Sequence, residues 1–167
     1  MFRNYKGMAN FGQWNCPGRT TRYDAATKSS PSRHHSTGTM LTEHEFEIRV
    51  RYQETDAQGH VHHANYLNYF EVGRVELLRA AGHDYRQLEA DGIFLVVTEV
   101  SCNYFLPAKY DDHLTLRTTT VRSKGVRIEH CYRLLRGDEL LAEGRTVVAC
   151  VTHDGTVQRL PGWLRIL

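Results

Sequence analysis

A chain of 167 residues, 41% apolar and 24% charged, has the size and composition of one globular domain with a single core. No apolar run approaches the roughly 18–20 residues that cross a bilayer, and no apolar stretch follows the first basic residues, so neither a membrane span nor a secretory signal is expected. The net charge of +2 divides unevenly: residues 1–40 hold six Lys or Arg against one acid, which leaves fifteen basic and eighteen acidic residues, a net −3, and no case for nucleic-acid binding in residues 41–167.

Residues 1–40 include the polar stretch KSSPSRHHSTGT and lack the aliphatic content to offset the entropy of ordering. They are predicted to be a disordered basic extension, which is not native if Met40 is the true start. A transit peptide is the competing reading, weakened by the absence of an amphipathic face carrying Arg. The domain itself is expected over residues 41–167. Phe46, Ile48 and Val50 alternate with Glu47, Arg49 and Arg51, the two-residue period of a half-buried strand. From Tyr66 the period changes: Tyr66, Tyr69, Phe70, Gly73, Leu77, Ala80 and Ala81 recur at three- and four-residue steps, and Gly82 stops the helix. Gly73 costs about 1 kcal/mol against Ala inside a helix, which close approach to a sheet would explain. A short polar helix is expected around Asp84–Ala90. Four strands follow, over Ile93–Phe105, His113–Arg122, Val126–Leu135 and Leu140–Thr152, with Ser123–Gly125 and Arg136–Asp138 as hairpin turns. One long helix with a mostly antiparallel sheet is an α+β fold. Cys16, Cys102, Cys131 and Cys150 lack metal-ligand spacing and are read as free thiols of a reducing, cytoplasmic compartment.

The chemistry concentrates in RYQETDAQGHVHHANYLNYFE, residues Arg51 to Glu71. Asp56 places a short carboxylate in the turn between strand and helix, and Gly59 lets the chain turn tightly or approach a ligand. The helix begins near His63 to Asn65, where unpaired N–H groups and the positive end of the dipole suit a carbonyl oxygen that turns negative under attack. A carboxylate and an oxyanion site within a few residues are the minimum equipment for acyl transfer to water. The bland alternative is that Asp56 caps a turn, the commoner role for Asp in such a loop.

These residues resemble the 4-hydroxybenzoyl-CoA thioesterase family of hot-dog proteins, and within it the Tol–Pal-associated acyl-CoA thioesterases. The resemblance runs from about Glu45 to Val151. It is carried by Tyr52, Thr55–Asp56–Ala57, Gly59, Val61, His63 and Tyr66, by Glu71 and Arg74 on the helix, and by Tyr104–Phe105–Leu106–Pro107–Ala108–Lys109 with Asp111–Asp112. It implies a five-stranded antiparallel sheet wrapped around a long central helix, in homodimers or homotetramers with active sites at the subunit interface. It also implies hydrolysis of an acyl-CoA without a cofactor, with Asp56 as nucleophile or general base. The backbone N–H of His63 would polarise the thioester carbonyl, Tyr52 would line the site, and Gly59, Val61 and Tyr66 would shape it. His62 stands where many relatives carry an aromatic residue.

Other candidates are weaker. His60, His62 and His63 lack the i, i+4 spacing of a zinc helix, so no metal is expected. Glu71 is a second carboxylate worth testing, though an ion pair with Arg74 at i+3 is the plainer role. Lys109, Arg122, Lys124 and Arg127 are candidates for the CoA phosphates. Two other functions compete: an acyl-CoA or acyl-carrier-protein binding protein without turnover, and a hot-dog dehydratase. The dehydratase motif, with Pro and Gly directly after a His, is absent.

Overall fold

The computed structural model describes residues 41–166; the basic extension and Cys16 lie outside the described residues. The chain runs β1 (Glu43–Arg49), a 3-10 turn (Tyr52–Glu54), α1 (Asn65–Ala80), α2 (Tyr85–Ala90), β2 (Phe94–Tyr104), β3 (His113–Lys124), β4 (Arg127–Arg136), β5 (Glu139–Val151) and a second 3-10 turn (Gly162–Leu164). The strands form one sheet in the order β1-β3-β4-β5-β2, and every pairing is antiparallel. The periodicities therefore gave the elements correctly, with ends displaced by a residue or two. Val50 lies beyond β1, buried in the connection, where its N–H bonds Asp112 O at 3.0 Å.

Alternation along β3 and β4 decides which side chains meet α1. Leu114, Leu116, Thr118 and Thr120 of β3 are buried, as are Ile128, His130, Tyr132 and Leu134 of β4. The helix packs on β1, β3 and β4. Gly73 faces the sheet, and a Cβ there would lie 2.4 Å from Thr118 Oγ1 and 2.6 Å from Leu116 Cδ2. Glycine is what lets the helix backbone settle this close. Phe70 stacks on Tyr132 with ring centroids 4.4 Å apart. Leu67 and Val72 stay exposed on the opposite side, so within one chain the sheet covers one side of α1 and does not enclose it.

Two buried clusters divide the core. One, around Val50, Val61, Tyr66, Tyr69, Leu116 and Tyr132, underlies the start of α1. The other, around Leu78, Leu88, Ile128, Val148, Leu160 and Leu164, underlies its end. The second depends on a C-terminal segment that the period of the sequence did not reveal. After β5 the chain turns at Thr152–Thr156 and pairs Val157 with Val151. Leu160 N–H then bonds Gly125 O at 2.9 Å, and Trp163 stacks on His83 with centroids 3.7 Å apart.

Candidate functional site

The segment between β1 and α1 is held by a buried carboxylate that sequence reasoning passed over. Glu54, 5% exposed, accepts hydrogen bonds from Arg51 N (2.7 Å), from the Arg51 guanidinium (2.7 and 2.9 Å) and from Tyr69 Oη (2.8 Å). Burial pushes this carboxyl up, but the donated hydrogen bonds outweigh it and hold the group below its ordinary value. The signal was present in the sequence as Arg51 and Glu54 three apart, the spacing of a capping box. Glu54 also organises the backbone: its carbonyl accepts from His62 N at 2.8 Å and from the Asn65 side-chain amide at 2.7 Å. The seven residues from Thr55 to Val61 are thereby closed against the first turn of α1, with Thr55 bridged to Val61.

Asp56 sits in that loop, half-buried. Its N–H bonds His60 O at 2.9 Å, and its Oδ1 accepts from Gln58 N at 2.8 Å. The turn-forming role is therefore real for one oxygen. Among the described residues Oδ2 receives no hydrogen bond. Gly59 adopts φ +74°, which an L side chain takes only with strain, so the tight return depends on glycine. Val61 is buried and donates its N–H to Ala108 O at 2.8 Å, while His60 bridges to Lys109. The two motifs far apart in sequence thus meet: the loop of Asp56 lies against Ala108 and Lys109.

At the start of α1, Ala64 N bonds His62 Nδ1 at 3.3 Å and Asn65 N bonds His62 O at 2.9 Å. The His63 N–H donates to no protein acceptor among the described residues. Helix-start amides of this kind carry the positive end of the dipole. The His63 carbonyl accepts from Tyr104 Oη at 3.0 Å, and Tyr104 meets Tyr66 edge-on at 4.9 Å. Cys102, packed on the same cluster, has its thiol pushed up to about 11 by burial, which leaves it a poor nucleophile beside a carboxylate.

Tyr52, Asp56, Gly59, Val61, His63, Tyr66 and Lys109 are gathered at one end of the molecule. Tyr52 is 78% exposed, its ring edge-on to Tyr110 at 5.6 Å. Glu71 faces solvent and pairs with Arg74 at 3.0 Å, the ion pair expected from its spacing. Arg122, Lys124 and Arg127 are not brought to this end. They occupy the β3–β4 hairpin, about 30 Å or more along β3 from the Asp112 turn at 3.3 Å per residue. Asp111, at φ +71°, and Asp112 form a turn, as read from sequence. Among the described residues no group of three or more His, Cys, Asp or Glu is placed to hold a metal ion.

The comparisons with known proteins agree with this geometry. The acyl-CoA thioesterase YbgC of Haemophilus influenzae is 38% identical over 107 residues, which are 64% of this chain and 79% of that protein. A probable thioesterase of Bartonella henselae has a solved structure at TM-score 0.68 and 35% identity, covering 71% of this chain and 99% of that one. The DHNA-CoA thioesterase of Staphylococcus aureus superposes at TM-score 0.67 with 29% identity, covering 71% of this chain and 79% of its own. The pattern of the thioesterase-like superfamily matches residues 50–165, from the end of the first strand through the C-terminal turn. On its five-stranded antiparallel sheet, its helix and this match, the chain belongs to the thioesterase-like, hot-dog superfamily.

Proposed function

We propose that the protein hydrolyses acyl-CoA thioesters to the free acid and CoA, with Asp56 acting on water or on the carbonyl carbon. The observation that carries this reading is the paired placement of the Asp56 loop and the start of α1 by one buried group, Glu54. A free carboxylate oxygen in a pinned loop and a helix-start N–H with no protein acceptor provide a base or nucleophile and an oxyanion partner. As general base, Asp56 takes a proton from water as the oxygen attacks the carbonyl, and the tetrahedral oxyanion collapses to expel CoA thiolate. As nucleophile it forms a mixed anhydride that water then opens. In both routes the His63 N–H stabilises charge on the carbonyl oxygen. Tyr52, Gly59, Val61 and Tyr66 shape the entry, and Lys109, bridged to the loop at His60, is a cation available for a CoA phosphate. No cofactor enters the reading, because water and the thioester supply every atom of the reaction.

The assembly belongs to the same proposal. β2 is an edge strand with one unpaired side, and Val96, Val97 and Val100 stand exposed on it. Such an edge invites pairing with a second copy. A dimer, or a tetramer built from dimers, would put the active sites at the subunit interface. It would also bring Arg122, Lys124 and Arg127 into play from the second protomer and complete the wrapping of the sheet about α1. No described helix is long and apolar enough to cross a membrane; a cytoplasmic location is proposed on the three described free cysteines, which a reducing compartment suits. Thiol release from a panel of acyl-CoAs, compared between the wild type and Asp56→Asn, tests the whole reading. Tight acyl-CoA binding without turnover in either would favour the binding-protein alternative.

A further inference from the structure

The Asp56 loop rests on a second support besides Glu54: the connection between β2 and β3, residues 105–112. Val61 N donates to Ala108 O at 2.8 Å, His60 bridges to Lys109, and Ala108 N donates to Tyr66 Oη at 3.4 Å. The same connection grips the chain leaving β1, since Asp111 N donates to Val50 O at 3.1 Å and Val50 N to Asp112 O at 3.0 Å. Both ends of the segment that carries Asp56 therefore depend on where residues 105–112 lie.

Burial does little to fix this connection. Phe105, Leu106 and Tyr110 are exposed, and Ala108 alone among its apolar side chains is buried. Polar contacts hold it instead. Asp111 takes φ +71°, a conformation that a residue other than glycine keeps only where its surroundings impose it, and Arg49 grips its carboxylate at 2.7 and 2.9 Å. Asp112 Oδ2 accepts from Lys109 N at 2.9 Å and from Arg136 Nη1 at 2.8 Å. Arg136 Nη1 also lies 3.4 Å from Pro107 O. One guanidinium thus holds the connection at two points, through a side chain and through a carbonyl.

Arg136 is itself well anchored. It ends β4, Glu139 opens β5, and Gly137 at φ +57° makes the turn between them. Glu139 Oε2 accepts from Arg136 Nε at 3.2 Å and Nη2 at 2.9 Å, which sets the plane of the guanidinium while Nη1 reaches Asp112. A group carried on paired strands is a firmer reference point than one on a loop. The contacts run from the hairpin through Asp112 and Lys109 to Ala108, and from there to His60 and Val61 beside Asp56.

We propose that Arg136 and Asp112 are positioning residues: their ion pair clamps residues 107–112 to the β4–β5 hairpin and so keeps the Asp56 loop aligned for attack on the thioester. This rests on the thioesterase reading and deepens it by naming residues that act on Asp56 from outside its own loop and helix.

The test places Arg136→Gln and Asp112→Asn in the full chain and measures thiol release from an acyl-CoA and from the matching acyl-pantetheine, which carries no phosphate. In both variants kcat is expected to fall about tenfold or more on both substrates, with KM for the pantetheine thioester little changed. Arg136→Lys, which keeps the charge, should recover part of the loss. The double variant should be no slower than the slower single one, because both remove the same bond. Glu139→Gln, which alters only the outer side of the guanidinium, should keep the wild-type rate. A loss confined to acyl-CoA would assign the effect to Lys109 and the phosphates and overturn the proposal, as would losses that multiply in the double variant. Hydrogen exchange supplies an arm that needs no turnover: the Val61 N–H should exchange about tenfold or more faster in either variant, while that of Tyr132 within the sheet stays as in the wild type. Faster exchange at Val61 alone would uphold the clamp even if the wild type released no thiol, a result that would sink the thioesterase reading by itself. Wild-type exchange at Val61 overturns the clamp. So does faster exchange across the whole sheet with kcat unchanged, which would mark an ion pair serving stability only.

Discussion

Tyr69 donates its hydroxyl to Glu54 Oε2 at 2.8 Å inside the protein, joining the second turn of α1 to the segment that carries Asp56. The pair is mutually reinforcing. Burial and the neighbouring Glu54 push the phenol far above its ordinary value, and the bonds to Glu54 keep that carboxyl charged. Tyr69→Phe keeps the ring and removes one donor from a buried carboxylate, so stability is expected to fall by about 1–3 kcal/mol. Urea unfolding reads this directly; an unchanged midpoint would show that the bond contributes nothing.

Gly73→Ala tests the closeness of helix and sheet. The added methyl meets Thr118 Oγ1 and Leu116 Cδ2 at distances that force one of them to move. Although Ala is the better helix former by about 1 kcal/mol, overpacking costs about 1–3 kcal/mol. A net loss in thermal stability is expected, and a gain would show that the packing is looser than this.

Much of this molecule was legible in its sequence because its elements are regular. The alternation of Phe46 and Ile48 and the three- and four-residue steps from Tyr66 to Leu77 match the strand and helix found. The segment beyond Thr152 was not legible. Leu160 and Leu164 are buried there without any repeating pattern, because the segment crosses the end of the core rather than running along it. At the site, Asp56, Gly59 and His63 stood out by local chemistry and by family resemblance. Glu54 did not, since a charged residue beside Arg51 reads as solvent-facing until tertiary structure brings Tyr69 over it. The basic hairpin was legible as a cluster of charge but not in its place. Sequence cannot say that Arg122, Lys124 and Arg127 lie at the far end of a strand from Asp56 in the same chain.

Acid should unfold the protein through His130. Its folded-state value of about 3 lies below the 6.5 of an unfolded histidine. Above about pH 6.5 the ring is neutral in both states and nothing is lost. Between about 6.5 and 3 the unfolded chain binds a proton that the folded protein refuses, so stability falls with pH by up to about 1.4 kcal/mol per unit. Glu54 acts in the same direction only at lower pH: its folded value is depressed, so its contribution holds above the unfolded carboxyl value and is lost as pH falls through the folded one. His130→Leu should therefore flatten the dependence between about pH 6.5 and 4.5. A slope in that window equal to the wild type's would show that His130 does not carry it.

The β2 edge provides the test of assembly. Val97→Lys with Val100→Lys places two charges on the exposed strand without disturbing its pairing to β5. Light scattering after size exclusion should show the wild type as a dimer or tetramer and the variant as smaller, with thiol release lost alongside. A variant that keeps both its mass and its activity would place the interface elsewhere.

Asp56→Asn is the most direct measurement, because Asn keeps the oxygen that accepts from Gln58 N and removes the charge. The fold should be unchanged by circular dichroism and the melting temperature nearly so. Thiol release from the best acyl-CoA of the panel should fall by about 10²–10⁴-fold, the usual worth of a positioned base. Wild-type rates in the folded variant would contradict the assignment of Asp56 as the group that attacks or activates water.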